Sequence, residues 1–223
     1  MTTDIRRRRI LIAALLGATF AALGITVASS RATETNSREL LKSTVTVGSL
    51  AAGTTYGASL IDPTPRLTPP EHGWFGAQFV DHQGGNVRYE TAVLFWRGQR
   101  HEVDIISGPA MTLSPAAALA QPLARAAHWR FSPYQHPSPV KRWTIAGRQA
   151  LYFDATAPPP GEWTLVGANP PELRIEHDNS FRMAALSVRG KTVVVVVRAP
   201  VADFPKFLPV AIGLVASLRF PSS

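Results

Sequence analysis

The sequence predicts an α+β fold: an N-terminal hydrophobic helix, then a mainly antiparallel β-sheet domain with two helices packed on it. Three observations carry that reading. Residues 87–97 alternate apolar and polar in the period of a strand. Five consecutive valines, Val193 to Val197, imply a strand covered on both faces and hence central in its sheet. Residues 114–130 and 203–217 carry apolar side chains at helical spacing, and they follow runs of strands. Both helices are expected on one face of the sheet.

The chain begins with Arg6-Arg7-Arg8-Arg9 and then 19 residues without charge, 10–28. A helix of that length just crosses about 30 Å of hydrocarbon. Cytoplasmic flanks keep Arg and Lys, so the chain past Ser29 is expected outside the cytoplasm. The segment reads either as a retained single-pass anchor or as a signal peptide, with small residues at 27–32 suited to cleavage. Its length favours an anchor or uncleaved signal. The arginines also resemble a twin-arginine export signal, without the usual Ser or Thr before the pair. The expected divisions are a signal or anchor over 1–29, a flexible linker over 30–53 and an extracytoplasmic domain over 54–223.

Residues 30–53 are rich in Ser, Thr and Gly, with one short helical turn at Glu39-Leu40-Leu41. Residues 54–61 alternate and read as a strand ended by Asp62-Pro63-Thr64-Pro65. Arg66-Leu67-Thr68 is a second, and 74–80 resumes extended chain. Residues 81–86, DHQGGN, are a turn by composition. In the strand at 87–97, Val87, Tyr89, Thr91, Val93 and Phe95 share one face, while Leu94 and Trp96 mark partial cover on the other. Residues 101–106 are its hairpin partner. Ser114-Pro115 opens the first helix, which Pro122 should break or kink.

After a loop at 131–140, residues 142–146 and 149–154 form a hairpin. Residues 157–162 turn, and 173–175 are extended. Residues 181–188 and 192–198 pair around Arg189-Gly190-Lys191. In the last helix Asp203 is placed to cap, Pro205 falls in the first turn and Pro209 should distort it. Leu218-Arg219-Phe220 closes the chain as a short extended piece.

Apolar residues make up 45% and charged residues 17%, a globular composition. The net charge is +8, but part of it sits in Arg6 to Arg9 and the rest is dispersed. No basic run interleaved with aromatics follows, so nucleic acid is not an expected partner. There is no cysteine. The domain must therefore stand on its core without disulfides, and thiol nucleophiles, thiolate metal sites and a lipid-modified cysteine are excluded.

Three segments carry a resemblance. They are GTTYGASLIDPTPRLTPPEHGW at 53–74, LSVRGKTVVVVVRAP at 186–200 and DFPKFLPVAIGLVASLRF at 203–220. Together they resemble exported actinobacterial proteins with a PsbP-like fold, of the LpqN type, though without the lipoprotein cysteine. The resemblance covers about half of the domain, and its motifs are structural. It implies an accessory or binding module and supplies no catalytic residue.

Six histidines stand in the sequence: His72, His82, His101, His128, His136 and His177. None has the spacing of a metal site, and no cofactor fingerprint is present. No catalytic residue and no metal ligand is assigned. In a strand, Glu102 and Asp104 share a face and His101 points the other way. Glu176-His177-Asp178 reads as a solvated turn. The aromatics are a second candidate set, with Trp74 and Trp96 as ligand-binding candidates, although core anchoring is their commoner role. Trp74 reads as either a rim contact or a plug of the core. The leading expectation is a non-catalytic cell-envelope domain, anchored or secreted, binding an envelope protein, lipid or wall component. The rival is an exported hydrolase built on His101, Glu102 and Asp104.

Overall fold

A computed structural model describes residues 37–43, 46–83, 87–109, 111–127, 137–157, 162–164, 174–176 and 178–221. In chain order the elements are β1 (Ser37–Glu39), β2 (Leu41–Lys42), β3 (Gly48–Leu50), β4 (Thr55–Gly57), β5 (Arg66–Leu67), β6 (Trp74–Gln83), β7 (Val87–Trp96), β8 (Glu102–Ser107), α1 (Pro115–Ala127), β9 (Lys141–Ile145), β10 (Arg148–Thr156), β11 (Glu162–Thr164), β12 (Arg174–Glu176), β13 (Asn179–Val188), β14 (Lys191–Pro200) and α2 (Phe204–Ala216). The fold is α+β, with a large mixed sheet and two helices among the described residues. The apolar run at 10–28 lies outside them.

Nine strands form the main sheet in the order β2-β6-β7-β8-β14-β13-β10-β9, with β3 also paired to β6. Every pair is antiparallel except β2 with β6. The valine run lies in β14, between β8 and β13. Val193 to Val197 are each at most 2% exposed, as a central strand requires. β-Branched side chains suit that pleated, doubly covered position. The β13–β14 hairpin turns on Arg189 (φ 54°) and Gly190 (φ 78°). Two left-handed residues make the turn whose twist matches its strands.

The helices lie on opposite faces of the sheet, not on one. Val193, Val195 and Val197 pack with Phe207, Ala211, Leu214 and Val215 of α2. Val194 and Val196 pack with Ala118, Leu119 and Ala126 of α1. An unbroken apolar run presents both of its sides, and each side needs its own layer.

Several local expectations change. Residues 37–50, assigned to a linker, carry β1, β2 and β3, with Leu40 and Leu50 buried. Glu39 and Leu41 are in strands rather than in a helical turn, and Leu40 N–H donates to Gly57 C=O at 2.9 Å. The strand expected over 54–61 is only β4, because residues 58–65 fold onto the sheet. There Gln78 Oε1 accepts from Leu60 N–H at 2.8 Å, and Glu90 Oε2 accepts from Asp62 N–H at 2.7 Å. These bonds explain two buried polar side chains. Asp81, His82 and Gln83 extend β6 instead of forming a turn, and 84–86 lie outside the described residues.

Helix α1 continues through Pro122, since burial of Ala118, Leu119 and Ala126 outweighs one lost bond. Ser114 caps it as expected, its Oγ accepting from Ala117 N–H at 3.2 Å. In β7 the fully buried side is Ala92 and Leu94, whereas Thr91, Val93 and Phe95 stay partly exposed.

Candidate functional site

Two groupings combine exposure with chemistry. The first is an aromatic corner on the α2 side. Trp74 starts β6 with no exposed surface, and its ring lies 6.2 Å from Phe207. Trp96 ends β7 and stacks on Phe207 at 5.9 Å. His101, in the β7–β8 turn, sits 5.2 Å from Phe207 and meets Trp96 edge-on at 5.6 Å. Trp96 Nε1 donates to Glu71 Oε1 at 2.7 Å, and the Arg97 guanidinium lies 4.5 Å from the Trp96 ring. Gly73, at φ 93°, lets the 68–73 loop reach this corner: a Cβ there would meet Arg97 Cγ at 3.0 Å. Trp74 Nε1 and His101 Nδ1 are buried without a hydrogen-bond partner among the described residues.

The second grouping lies on the other face. Cross-strand registers set its residues in rows. Phe75 faces Phe95, which faces Glu102, which faces Arg198. Ala77 faces Val93, which faces Asp104, which faces Val196. Phe79 faces Thr91, which faces Ile106. Glu102 and Asp104 are buried, at 9% and 5% exposure. Arg198 bonds Glu102, and its Nε stands 3.8 Å from Asp104 Oδ2. Helix α1 packs on β10, β13 and β14, beyond this polar row. On the near side Phe75, Phe79, Val93 and Phe95 remain partly exposed. The result is an apolar patch on β6 and β7, backed by a buried ion-paired row.

The structure does not bring the hydrolase candidates together. His101 joins the aromatics on the α2 side, while Glu102 and Asp104 join Arg198 on the opposite face. The alternation of a strand separates them, as the sequence implies. Of the two tryptophan candidates, Trp74 is the core plug and Trp96 is partly exposed. His72 is exposed in the 68–73 loop. His128, His136, His177, Trp129, Phe131 and Tyr134 lie outside the described residues, as do the side chains of His82 and Trp163. Among the described residues no group of three His, Asp or Glu side chains is placed to hold a metal ion. The apolar patch went unsingled in the sequence. Its signal was the alternating set Thr91, Val93, Phe95, which reads equally well as core.

Electrostatics single out two further groups. Burial pushes the Tyr89 phenol up from its ordinary value. At Arg182, burial pulls the guanidinium down, and the Asp154 hydrogen bonds and charge outweigh it, leaving it raised. Arg182 holds both Asp154 oxygens, at 2.7 and 2.9 Å, and lies 4.3 Å from the Tyr152 ring.

No family model and no curated protein matches this chain. Among solved structures it is similar to LpqN of Mycobacterium tuberculosis, a protein involved in cell envelope biogenesis. The identity is 12%, the match covers 70% of this chain and 79% of LpqN, and the TM-score is 0.32. A superposition that loose relates the two distantly and carries nothing about function.

Proposed function

We propose that this chain is a non-catalytic extracytoplasmic domain of the cell envelope that binds an apolar surface of a protein, lipid or wall component. The observation that carries the binding reading is the patch of Phe75, Phe79, Val93 and Phe95. These four stay partly exposed on a face whose helix packs elsewhere. Their registers set Phe75 beside Phe95 and Val93 between them and Phe79, so the four adjoin on neighbouring strands and offer an apolar contact surface. The separation of His101 from Glu102 and Asp104 argues against the hydrolase reading.

The envelope location rests on Arg6 to Arg9 and the uncharged run 10–28. Intact mass of the native protein separates anchor from signal: loss of roughly 29 to 32 residues marks cleavage. Trp96 is proposed as a second contact, at the α2-side corner.

The test is site-specific photocrosslinking of the full-length protein in intact cells, with the probe at position 79 or 95. A discrete adduct from both positions, lost when the other position is changed to serine, supports the reading. No adduct from either position, in protein that is exported and folded, removes the patch from the argument.

A further inference from the structure

We propose that β9 is a docking edge that adds an extended acidic segment of a partner protein as a further strand of the main sheet. Among the described residues β9 pairs only with β10, in unbroken register from Lys141 to Ile145. The opposite end of the sheet is different: β6 is closed there by the short strands β2 and β3. β9 holds no proline, and its register contains no bulge, two of the devices that blunt an edge.

The hairpin geometry fixes which backbone groups are available. β9 and β10 are joined through Ala146 (φ 51°) and Gly147 (φ 72°), a two-residue turn of left-handed residues. Such a turn makes Ile145 and Arg148 a hydrogen-bonded pair. By alternation Trp143 with Ala150 and Lys141 with Tyr152 are bonded too. Arg142 and Thr144 therefore point their N–H and C=O groups outward. Both residues are exposed. Strand addition uses groups of this kind for affinity and alternate side chains for specificity.

Charge selects the occupant. Lys141 and Arg142 lie on the two faces of the edge, and Arg148 lies beside Ile145 on β10. None of the three makes an ion pair among the described residues. The carboxylate on β10, Asp154, is engaged by Nε and Nη2 of Arg182. Trp143 adds a partly buried aromatic surface, and Val140, just before the strand, is 43% exposed. A second copy pairing β9 with β9 would bring two cations from each chain to one seam, which disfavours it. An extended segment alternating acidic and apolar residues sets its carboxylates beside Arg142 on the Arg142–Thr144 face and its apolar side chains beside Trp143 and Ile145 on the other.

The test uses the full-length protein and a labelled short peptide alternating glutamate and valine, beside glutamine–valine and lysine–valine controls. Fluorescence anisotropy should show the acidic peptide bound about tenfold more tightly than the glutamine one, with the advantage shrinking as salt rises. Thr144→Pro removes an outward N–H without touching the β10 ladder, and should weaken binding about tenfold. Amide exchange gives a second reading that needs no variant: Arg142 and Thr144 should become protected when peptide is added. Equal binding of all three peptides, or no new protection at Arg142 and Thr144, overturns the proposal. Self-association of the protein that Thr144→Pro abolishes also overturns it, by making a second copy the occupant.

Discussion

His101 Nε2 stands 3.5 Å from Asp203 Oδ2, across the join between the β7–β8 turn and the start of α2. This pairing takes the carboxylate that would otherwise cap the helix: Asp203 occupies the N-cap position and makes no side-chain capping bond. The Lys206 N–H, which such a cap would satisfy, donates instead to the Asp203 carbonyl at 3.0 Å, and Pro205 before it has no N–H to satisfy. The imidazole thus ties two distant segments while packing on Trp96 and Phe207.

The cost of that arrangement is a buried Nδ1 without a partner. An apolar side chain of similar size removes the unsatisfied group and keeps the packing. His101→Leu should therefore leave stability within about 1 kcal/mol of wild type, in urea unfolding near neutral pH. A loss above roughly 2 kcal/mol would show that the polar contacts of the imidazole, the one to Asp203 included, outweigh its unsatisfied nitrogen.

Val195 is 1% exposed and faces Ala184 on one neighbouring strand and Ile105 on the other. Val195→Asp would place a carboxylate there with no cation across from it. The expected loss is several kcal/mol, enough to unfold a marginal domain. Unchanged thermal unfolding would contradict a central position for β14.

What the sequence made legible follows from where its information is local. The valine run and the hairpin at Arg189-Gly190 declare themselves through side-chain branching and turn chemistry. β1, β2 and β3 do not, since each spans two or three residues and depends on Gly57, Gln78 and Gly76 from elsewhere in the chain. Asp203 stands at the N-cap as its position in the sequence implies, but its missing side-chain bond is not legible there, because its competitor, His101, comes from a distant turn. Helix placement on opposite faces was implied by the valines, yet the helical stripes alone carry no information about which face each one covers. The apolar patch was hidden because Val93 and Phe95 show the same alternation whether a layer covers them or not.

Tyr89 gives a pH test. Its ordinary value is 10.0, and burial raises it in the folded chain. The folded state therefore holds the phenolic proton more tightly than the unfolded state does. The stabilising contribution is full below pH 10.0 and is lost as pH rises through the folded-state value. Phenolate absorbance should contain a late-titrating component that Tyr89→Phe removes. The same variant should flatten the fall in stability at high pH. Removal of an ordinary component instead would mean that the phenol is solvated.

The two tryptophan candidates separate by the kind of damage their loss does. Trp74 has no exposed surface, so Trp74→Ala opens a cavity beside Phe207 and should cost about 3–5 kcal/mol. Trp96 is partly exposed, and its indole edge is held by Glu71. Trp96→Ala loses one stacked face and one hydrogen bond, for about 1–2 kcal/mol. The folded Trp96→Ala protein is then available for the crosslinking assay at positions 79 and 95. A contact role at Trp96 requires weaker capture from a protein that still unfolds cooperatively. Capture equal to wild type would confine the binding surface to the opposite face of the sheet, where Phe75, Phe79, Val93 and Phe95 lie.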